Sequence, residues 1–150
     1  MIINFKAFKF LSAVFFLIGC NNFAQNDHSK QDMKEIISVM KKQEEAWSKN
    51  DLEGFMKGYW KSNSLKFFGK NGLTEGWKNT LNNYKKNYPT KEHTGNLSFK
   101  ISDISKISNG AYFVMGEYLL KKKQEKAKGV FMVIFKRING KWKIIADMSC

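Results

Sequence analysis

Residues 109–149 read NGAYFVMGEYLLKKKQEKAKGVFMVIFKRINGKWKIIADMS, and this stretch decides the fold. Asn-Gly pairs stand at 109–110 and 139–140, and Asn-Gly accepts the positive φ that tight hairpin turns need. The stretch therefore predicts three antiparallel strands joined by turns, at Ala111–Lys123, Lys128–Ile138 and Lys141–Ser149.

The predicted strands carry apolar side chains on both faces. In the first strand, Tyr112 and Val114 alternate with Phe113 and Met115. A sheet with one solvated face would alternate apolar with polar residues instead. We therefore expect helices to cover one face of this sheet and a second cover to lie on the other.

Helical patterns precede the strands. Asp32 and Glu35 have the spacing of a capping box and predict the start of a first helix, which Asn50-Asp51 interrupts. The remaining predicted elements are helices at Leu52 to about Trp60 and Trp77 to Tyr88, a short hairpin of Leu65–Phe68 and Leu73–Glu75, a loop at Thr90–Gly95, and a strand from Leu97 with a bulge near Asp103. Helices followed by strands predict an α+β fold.

The composition suits one domain and argues against nucleic acid as a partner. The chain has 150 residues, of which 43% are hydrophobic, and a formal net charge of +13. Such a charge suits nucleic acid or an anionic membrane surface. Arg137 is the only arginine, however, whereas proteins that bind nucleic acid usually use arginine for bidentate contacts. We attribute the lysines to solvation and to attraction toward anionic envelope surfaces.

The N-terminus has the pattern of a signal peptide. Lys6 and Lys9 precede an apolar run at 10–18, which is too short to span a bilayer. Leu17-Ile18-Gly19-Cys20 resembles the bacterial lipobox, which implies cleavage before Cys20 and acylation of that residue. Cleavage after Ala24 is the alternative. If Cys20 is not acylated, a disulfide between Cys20 and Cys150 is possible.

The predicted organisation is a signal peptide at 1–19, a lipidated flexible tether at 20–31 and one domain at 32–150. The tether is predicted from the polar composition of residues 21–30. We therefore expect an exported lipoprotein of the bacterial cell envelope, anchored to the membrane through Cys20 and facing the periplasm or the cell exterior.

Four segments resemble a known superfamily: Ala46–Leu52, Gly76–Pro89, the paired central strands and Asn139–Asp147. The chain from Asp32 to Ser149 is similar to the nuclear transport factor 2-like superfamily. Within it, the chain resembles the SnoaL-like bacterial domains related to the calcium/calmodulin-dependent kinase association domain. The resemblance implies a conical α+β fold, with N-terminal helices packed on a strongly curved antiparallel sheet and a pocket between them. It also implies homodimers through the open sheet face.

The sequence departs from this group at two positions that carry histidine in close relatives. Met148 follows Asp147 in the last strand, and Val130 follows Gly129 in the strand before it. The chain has only 2 histidines, one in the predicted tether and one in a predicted loop. We therefore do not expect a histidine to transfer protons in the pocket.

Two strand carboxylates are the candidates for acid–base chemistry, namely Asp147 and Glu117. Burial among aromatic side chains would raise the pKa of either carboxyl group, and a nearby tyrosine would donate a hydrogen bond to a developing enolate. Alternatively, Glu117 pairs with a lysine and Asp147 holds a backbone or tryptophan N–H. The residues predicted to bind a ligand are Tyr59, Trp60, Trp77, Tyr84, Tyr118, Phe131 and Met148.

The sequence supports two main functions. One is a non-catalytic module that binds a small apolar or aromatic ligand, dimerises, or does both, and we favour it because the pocket offers few acid–base groups. The other is an isomerase or dehydratase that uses a pocket carboxylate. An adaptor for an envelope protein is a third. We predict no metal, because no cluster of ligands has suitable spacing, and no cofactor, because no phosphate-binding loop is found.

Overall fold

The computed structural model describes residues 20–123 and 125–150, with side chains from residue 28 onward. The predicted signal peptide at 1–19 lies outside the described residues, as does the side chain of Cys20. Within the part that is described, no helix is long and apolar enough to cross a membrane.

The described residues form four helices and one sheet of six strands. The helices are α1 Cys20–Ser48, α2 Leu52–Met56, α3 Trp77–Asn87 and α4 Lys91–Thr94, and the strands are β1 Lys66–Gly69, β2 Gly72–Glu75, β3 Asn96–Ser108, β4 Ala111–Lys121, β5 Lys126–Ile138 and β6 Lys141–Ser149. The predicted α+β class is confirmed: the helices pack on the inner face of a curved sheet and bury one aromatic-rich core there.

Helix α1 begins earlier than the sequence pattern predicted. The segment expected to be a flexible tether is helical from Cys20 onward, and it contains neither proline nor glycine to stop the helix. Asp32 is therefore not a cap. It lies inside α1, where its carboxylate and that of Glu35 accept hydrogen bonds from Arg137 at 2.6 and 3.0 Å.

The sheet has the order β2-β1-β6-β5-β4-β3 and is mixed, whereas an antiparallel sheet was predicted. Strand β1 pairs in parallel with β6, and all other neighbours are antiparallel. Since β1 and β6 are far apart in the chain, no tight turn forces them to run in opposite directions. The predicted bulge is confirmed, because the register of β3 against β4 shifts between Ile101 and Asp103.

Both Asn-Gly pairs stand at turns between strands, but in the first pair only Gly110 has a positive φ, at 76°. Asn139 and Gly140 have φ of 49° and 74°, which is the left-handed pair of a type I′ hairpin, and β6 has the predicted bounds. The segment at Thr90–Gly95, predicted to be a loop, contains the short helix α4.

The outer face of the sheet carries a continuous row of exposed apolar side chains. Cα pairing between neighbouring strands places one residue from each of five strands side by side. We call these the outer apolar row: Leu73, Phe68, Met148, Met132 and Met115. They are 37% to 55% exposed, so the second cover that the sequence predicts for this face is not supplied by the described residues of the chain itself.

Candidate functional site

A cavity of about 560 Å³ lies between the helices and the inner face of the sheet. Aromatic rings form a large part of its walls, and α1, α2, α3, β3 and β5 each contribute at least one ring. The principal aromatic lining residues are Trp47, Phe55, Tyr84, Tyr88, Phe99 and Phe131. The volume is in the range of pockets that enclose small organic molecules.

One carboxyl group lies in this apolar wall. Asp147 is on the inner face of β6 and is 7% exposed. The Tyr59 hydroxyl donates a hydrogen bond to Asp147 Oδ2 at 2.6 Å, and the Ser149 hydroxyl donates to Asp147 Oδ1 at 2.5 Å. Each carboxyl oxygen keeps further acceptor capacity, so the group can still bind or receive a proton from a ligand.

The backbone holds Tyr59 beside this strand. The N–H of Trp60 donates to the carbonyl oxygen of Ile144 at 2.8 Å, and the N–H of Ile144 donates to the carbonyl oxygen of Gly58 at 2.9 Å. The segment after α2 therefore forms a short parallel bridge with β6, and this bridge fixes the distance from the phenol to Asp147.

Burial raises the pKa of Asp147, and the hydrogen bonds from Ser149 and Tyr59 oppose that shift without cancelling it. None of the ion pairs in the described part of the chain includes Asp147. Burial, with the Asp147 charge as the second cause, also raises the pKa values of Tyr59 and Tyr84 well above their ordinary value. Both phenols therefore stay protonated at neutral pH and can donate hydrogen bonds.

Helix α3 supplies Tyr84, which lies at the centre of the aromatic wall. Its ring meets those of Trp47 and Phe55 at 5.4 Å each, both nearly perpendicular, and that of Phe67 at 5.7 Å. These edge-to-face contacts hold the rings in defined orientations. On the side that faces the helices, the cavity wall is therefore a set of rings in mutual contact.

The structure brings five of the predicted site residues together at the cavity: Tyr59, Tyr84, Tyr118, Phe131 and Asp147. Glu117 is not among them, and its prediction as a pocket carboxylate is wrong. Successive side chains of a strand point to opposite faces, so Gly116 and Tyr118 face inward and Glu117 faces outward. There its side chain is 54% exposed and lies 3.4 Å from Lys100 Nζ.

Three predicted ligand-binding residues also lie outside the cavity. Trp77 donates its indole N–H to the carbonyl oxygen of Met56 at 2.8 Å, and the Lys61 ammonium lies 5.2 Å from its ring centre. Trp60 is half-buried beside β6. Met148 follows the inward-facing Asp147 and therefore points to the outer face, where it is 45% exposed.

Sequence reasoning missed several lining residues. Gln43 is buried in the cavity wall and donates to the carbonyl oxygen of Phe55 at 3.2 Å; its position between Met40 and Trp47 on the apolar face of α1 was the available signal. Ser149 was detectable as the residue two positions after Asp147 on one strand face. Among the residues that the structure describes, no group of three or more side chains could hold a metal ion.

Comparison with known proteins identifies the superfamily. No family model and no curated protein matches the chain. The crystal structure of an NTF2-like protein of unknown function from Shewanella oneidensis MR-1 is 39% identical, with a TM-score of 0.76, and the match covers 79% of this chain and 98% of that one. The chain belongs to the nuclear transport factor 2-like superfamily.

Solved structures of lower identity share the fold alone with this nuclear transport factor 2-like chain. A superfamily protein from Salmonella enterica serovar Typhimurium is 13% identical with a TM-score of 0.66, and the match covers 81% of this chain and 92% of that one. A ketosteroid isomerase-like protein from Erwinia carotovora is 12% identical with a TM-score of 0.62, covering 77% and 92%. At these identities the likeness carries no information on activity.

Proposed function

We propose that this nuclear transport factor 2-like protein binds a small, largely apolar or aromatic molecule that carries one hydrogen-bonding group. The observation that supports this is a cavity of about 560 Å³ with aromatic walls and a single buried carboxyl group. The walls would stack on the body of the ligand, and the Asp147 and Tyr59 pair would orient its polar group.

Native mass spectrometry of the purified full chain tests this function. We expect a bound small molecule in the native spectrum, or a thermal shift with at least one member of a panel of aromatic metabolites. The variant Phe131→Ala removes one aromatic ring from the cavity wall, and it should therefore weaken that binding. Ligand-free protein that shows no shift across the panel would refute the proposal.

A proton-transfer enzyme is the second candidate, and the environment of Asp147 favours it. A buried carboxyl group with a raised pKa and no ion-pair partner is suited to act as a general base. Tyr59 or Tyr84 would donate to the oxygen of a developing enolate, as in an isomerase or dehydratase without a cofactor. Asp147→Asn should then abolish turnover while ligand binding persists. A wild type that binds the ligand without turning it over would favour the binding module instead.

We also propose a homodimer that covers the outer apolar row. The row crosses five strands. If two copies pack through it about a two-fold axis, each copy buries the same residues, as closed dimers require. Exposed apolar surfaces of this kind often mark protein interfaces.

Export and lipid anchoring belong to the same proposal. Their support is the charged head at Lys6 and Lys9, the apolar run at 10–18, and the lipobox-like sequence that ends at Cys20. The four segments that resemble the SnoaL-like domains support a place within that group.

A further inference from the structure

The mouth of the cavity is polar and basic, in contrast to its walls. We assign to it the exposed polar residues of the lining, which come from two elements: the turn between β1 and β2, which carries Lys70 and Asn71, and the last turns of α3, which carry Asn83, Lys86 and Asn87. The three α3 residues are spaced by three and four positions and therefore share one side of the helix. The Asn83 side chain donates to the Thr74 hydroxyl at 3.1 Å and links the two elements.

Neither lysine of the mouth is neutralised by a neighbour. Lys70 and Lys86 take part in no ion pair of the described residues, whereas Lys85, which precedes Lys86 on α3, binds Glu53 at 2.7 Å. Among the described residues that line the cavity, Asp147 carries the only acidic side chain. The mouth therefore has a net positive charge in the absence of a ligand.

The mouth and the buried carboxyl group are at different depths. Asp147 pairs through its Cα with Phe67 of β1, and Lys70 lies three residues farther along the chain. Because β1 ends at Gly69 and Lys70 lies in the turn, the rise of a β-strand makes this separation at most about 10 Å, which is the length of a molecule with two fused rings and a substituent.

We propose that the ligand is an amphipathic anion, whose ring or hydrocarbon body fills the aromatic cavity and whose single anionic group is bound at the mouth by Lys70 and Lys86. This inference rests on the proposed binding function and adds the charge class of the ligand to it. The side-chain amides of Asn71, Asn83 and Asn87 would complete the shell of hydrogen-bond donors around the anion.

A pair of fluorescent probes that differ only in charge tests the inference. 8-Anilinonaphthalene-1-sulfonate carries a sulfonate, and N-phenyl-1-naphthylamine has the same ring system without it. Their dissociation constants are measured on the full chain, on the double variant Lys70→Gln/Lys86→Gln, and on Lys78→Gln. Lys78 is a matched control, because it is exposed on α3, lies outside the cavity lining and has no ion pair among the described residues.

We expect the double variant to bind the sulfonate about tenfold more weakly, since two partly exposed charge pairs contribute a few-fold each. The neutral probe should change by less than about twofold, and Lys78→Gln should leave both constants unchanged. Added salt should weaken the sulfonate alone, because it screens exposed charges. Chemical shifts of the Leu97, Leu120 and Val133 methyl groups, which line the cavity, confirm where the probes bind.

Different outcomes would contradict the anionic class of the ligand and the binding function itself. If the neutral probe binds in the cavity but both probes respond alike to the double variant, the anionic ligand class is wrong and the binding function stands. An equal loss of sulfonate binding in Lys78→Gln would also overturn the inference, because general surface charge would explain it. If neither probe shifts the cavity methyl groups, the proposed function itself fails.

Discussion

Asp147 is the residue on which the chemistry of the site depends. Its carboxyl group is buried against aromatic rings, and two hydroxyl donors partly offset the cost of its charge. The neighbours Asp147 and Met148 belong to different surfaces, one in the cavity and one in the outer apolar row. A substitution of Asp147 should therefore change ligand binding, and a substitution of Met148 should change the association of two copies.

At the residue scale, we predict how Asp147→Asn changes the pH dependence of stability. The folded-state pKa is raised, so the folded protein binds more protons than the unfolded chain and wild-type stability falls as pH rises from the unfolded value through the folded one. Asparagine stays neutral, so the variant should gain stability relative to wild type over that interval. Urea unfolding across a series of pH values measures the difference.

Tyr59→Phe provides the companion measurement. It removes a donor that favours the ionised carboxylate, so the pKa of Asp147 should rise further and the decline of stability with pH should be steeper than in wild type. If the free energy of unfolding changes with pH in the same way in wild type and in Asp147→Asn, this account of the carboxyl group is wrong.

At the scale of elements, the bulge in β3 shapes the cavity. The register shift after Ile101 brings the Lys100 carbonyl oxygen close to Gly116 of β4, where an added Cβ would lie 2.3 Å from that oxygen and 2.9 Å from the Phe131 ring. Backbone cannot yield as a flexible side chain does, so only glycine lets β3 approach β4 here while Phe131 lies over the cavity.

We therefore predict that Gly116→Ala destabilises the protein by about 2 kcal/mol, as overpacking typically does. It should also weaken ligand binding, because Phe131 lines the cavity. Glu117→Ala is the matched control: it changes an exposed side chain on the neighbouring residue and should alter the free energy of unfolding by less than about 0.5 kcal/mol. Equal unfolding midpoints for the two variants would exclude a close approach at Gly116.

At the scale of the whole molecule, the outer apolar row governs association. We predict that Met132→Lys, which places a charge within the proposed dimer interface, converts a dimer into a monomer because a buried unpaired charge is costly. Light scattering after size-exclusion chromatography gives the mass. Ile107→Lys is the control, since Ile107 is equally apolar and 54% exposed but lies four residues along β3 from the partner of Met115. A monomeric wild type would refute the dimer, and a dimeric Met132→Lys would refute the outer apolar row as its interface.

The N-terminal proposal also belongs to the whole molecule. We predict that Cys20→Ser abolishes the incorporation of labelled palmitate in a bacterial host and releases the protein from the membrane fraction, because the acyl chains provide the anchor. Cys150→Ser should leave both readouts unchanged. Label that remains after Cys20→Ser would contradict acylation at that residue.

The sequence by itself determined the secondary structure of the sheet and its class of fold. Asn-Gly turns and strand periodicity are local signals, so the bounds of β6 and the bulge in β3 were predictable from neighbouring residues. The choice of Asp147 as a pocket candidate came from the same local pattern.

Only the tertiary structure decided which face of each strand is the inner one, and so it separated Asp147 from Glu117. When both faces of a strand carry apolar residues, its sequence does not indicate which face the helices cover. The parallel pairing of β1 with β6 and the basic mouth between α3 and the first hairpin are long-range arrangements as well. They depend on packing between distant segments, for which no short stretch of sequence carries a signal.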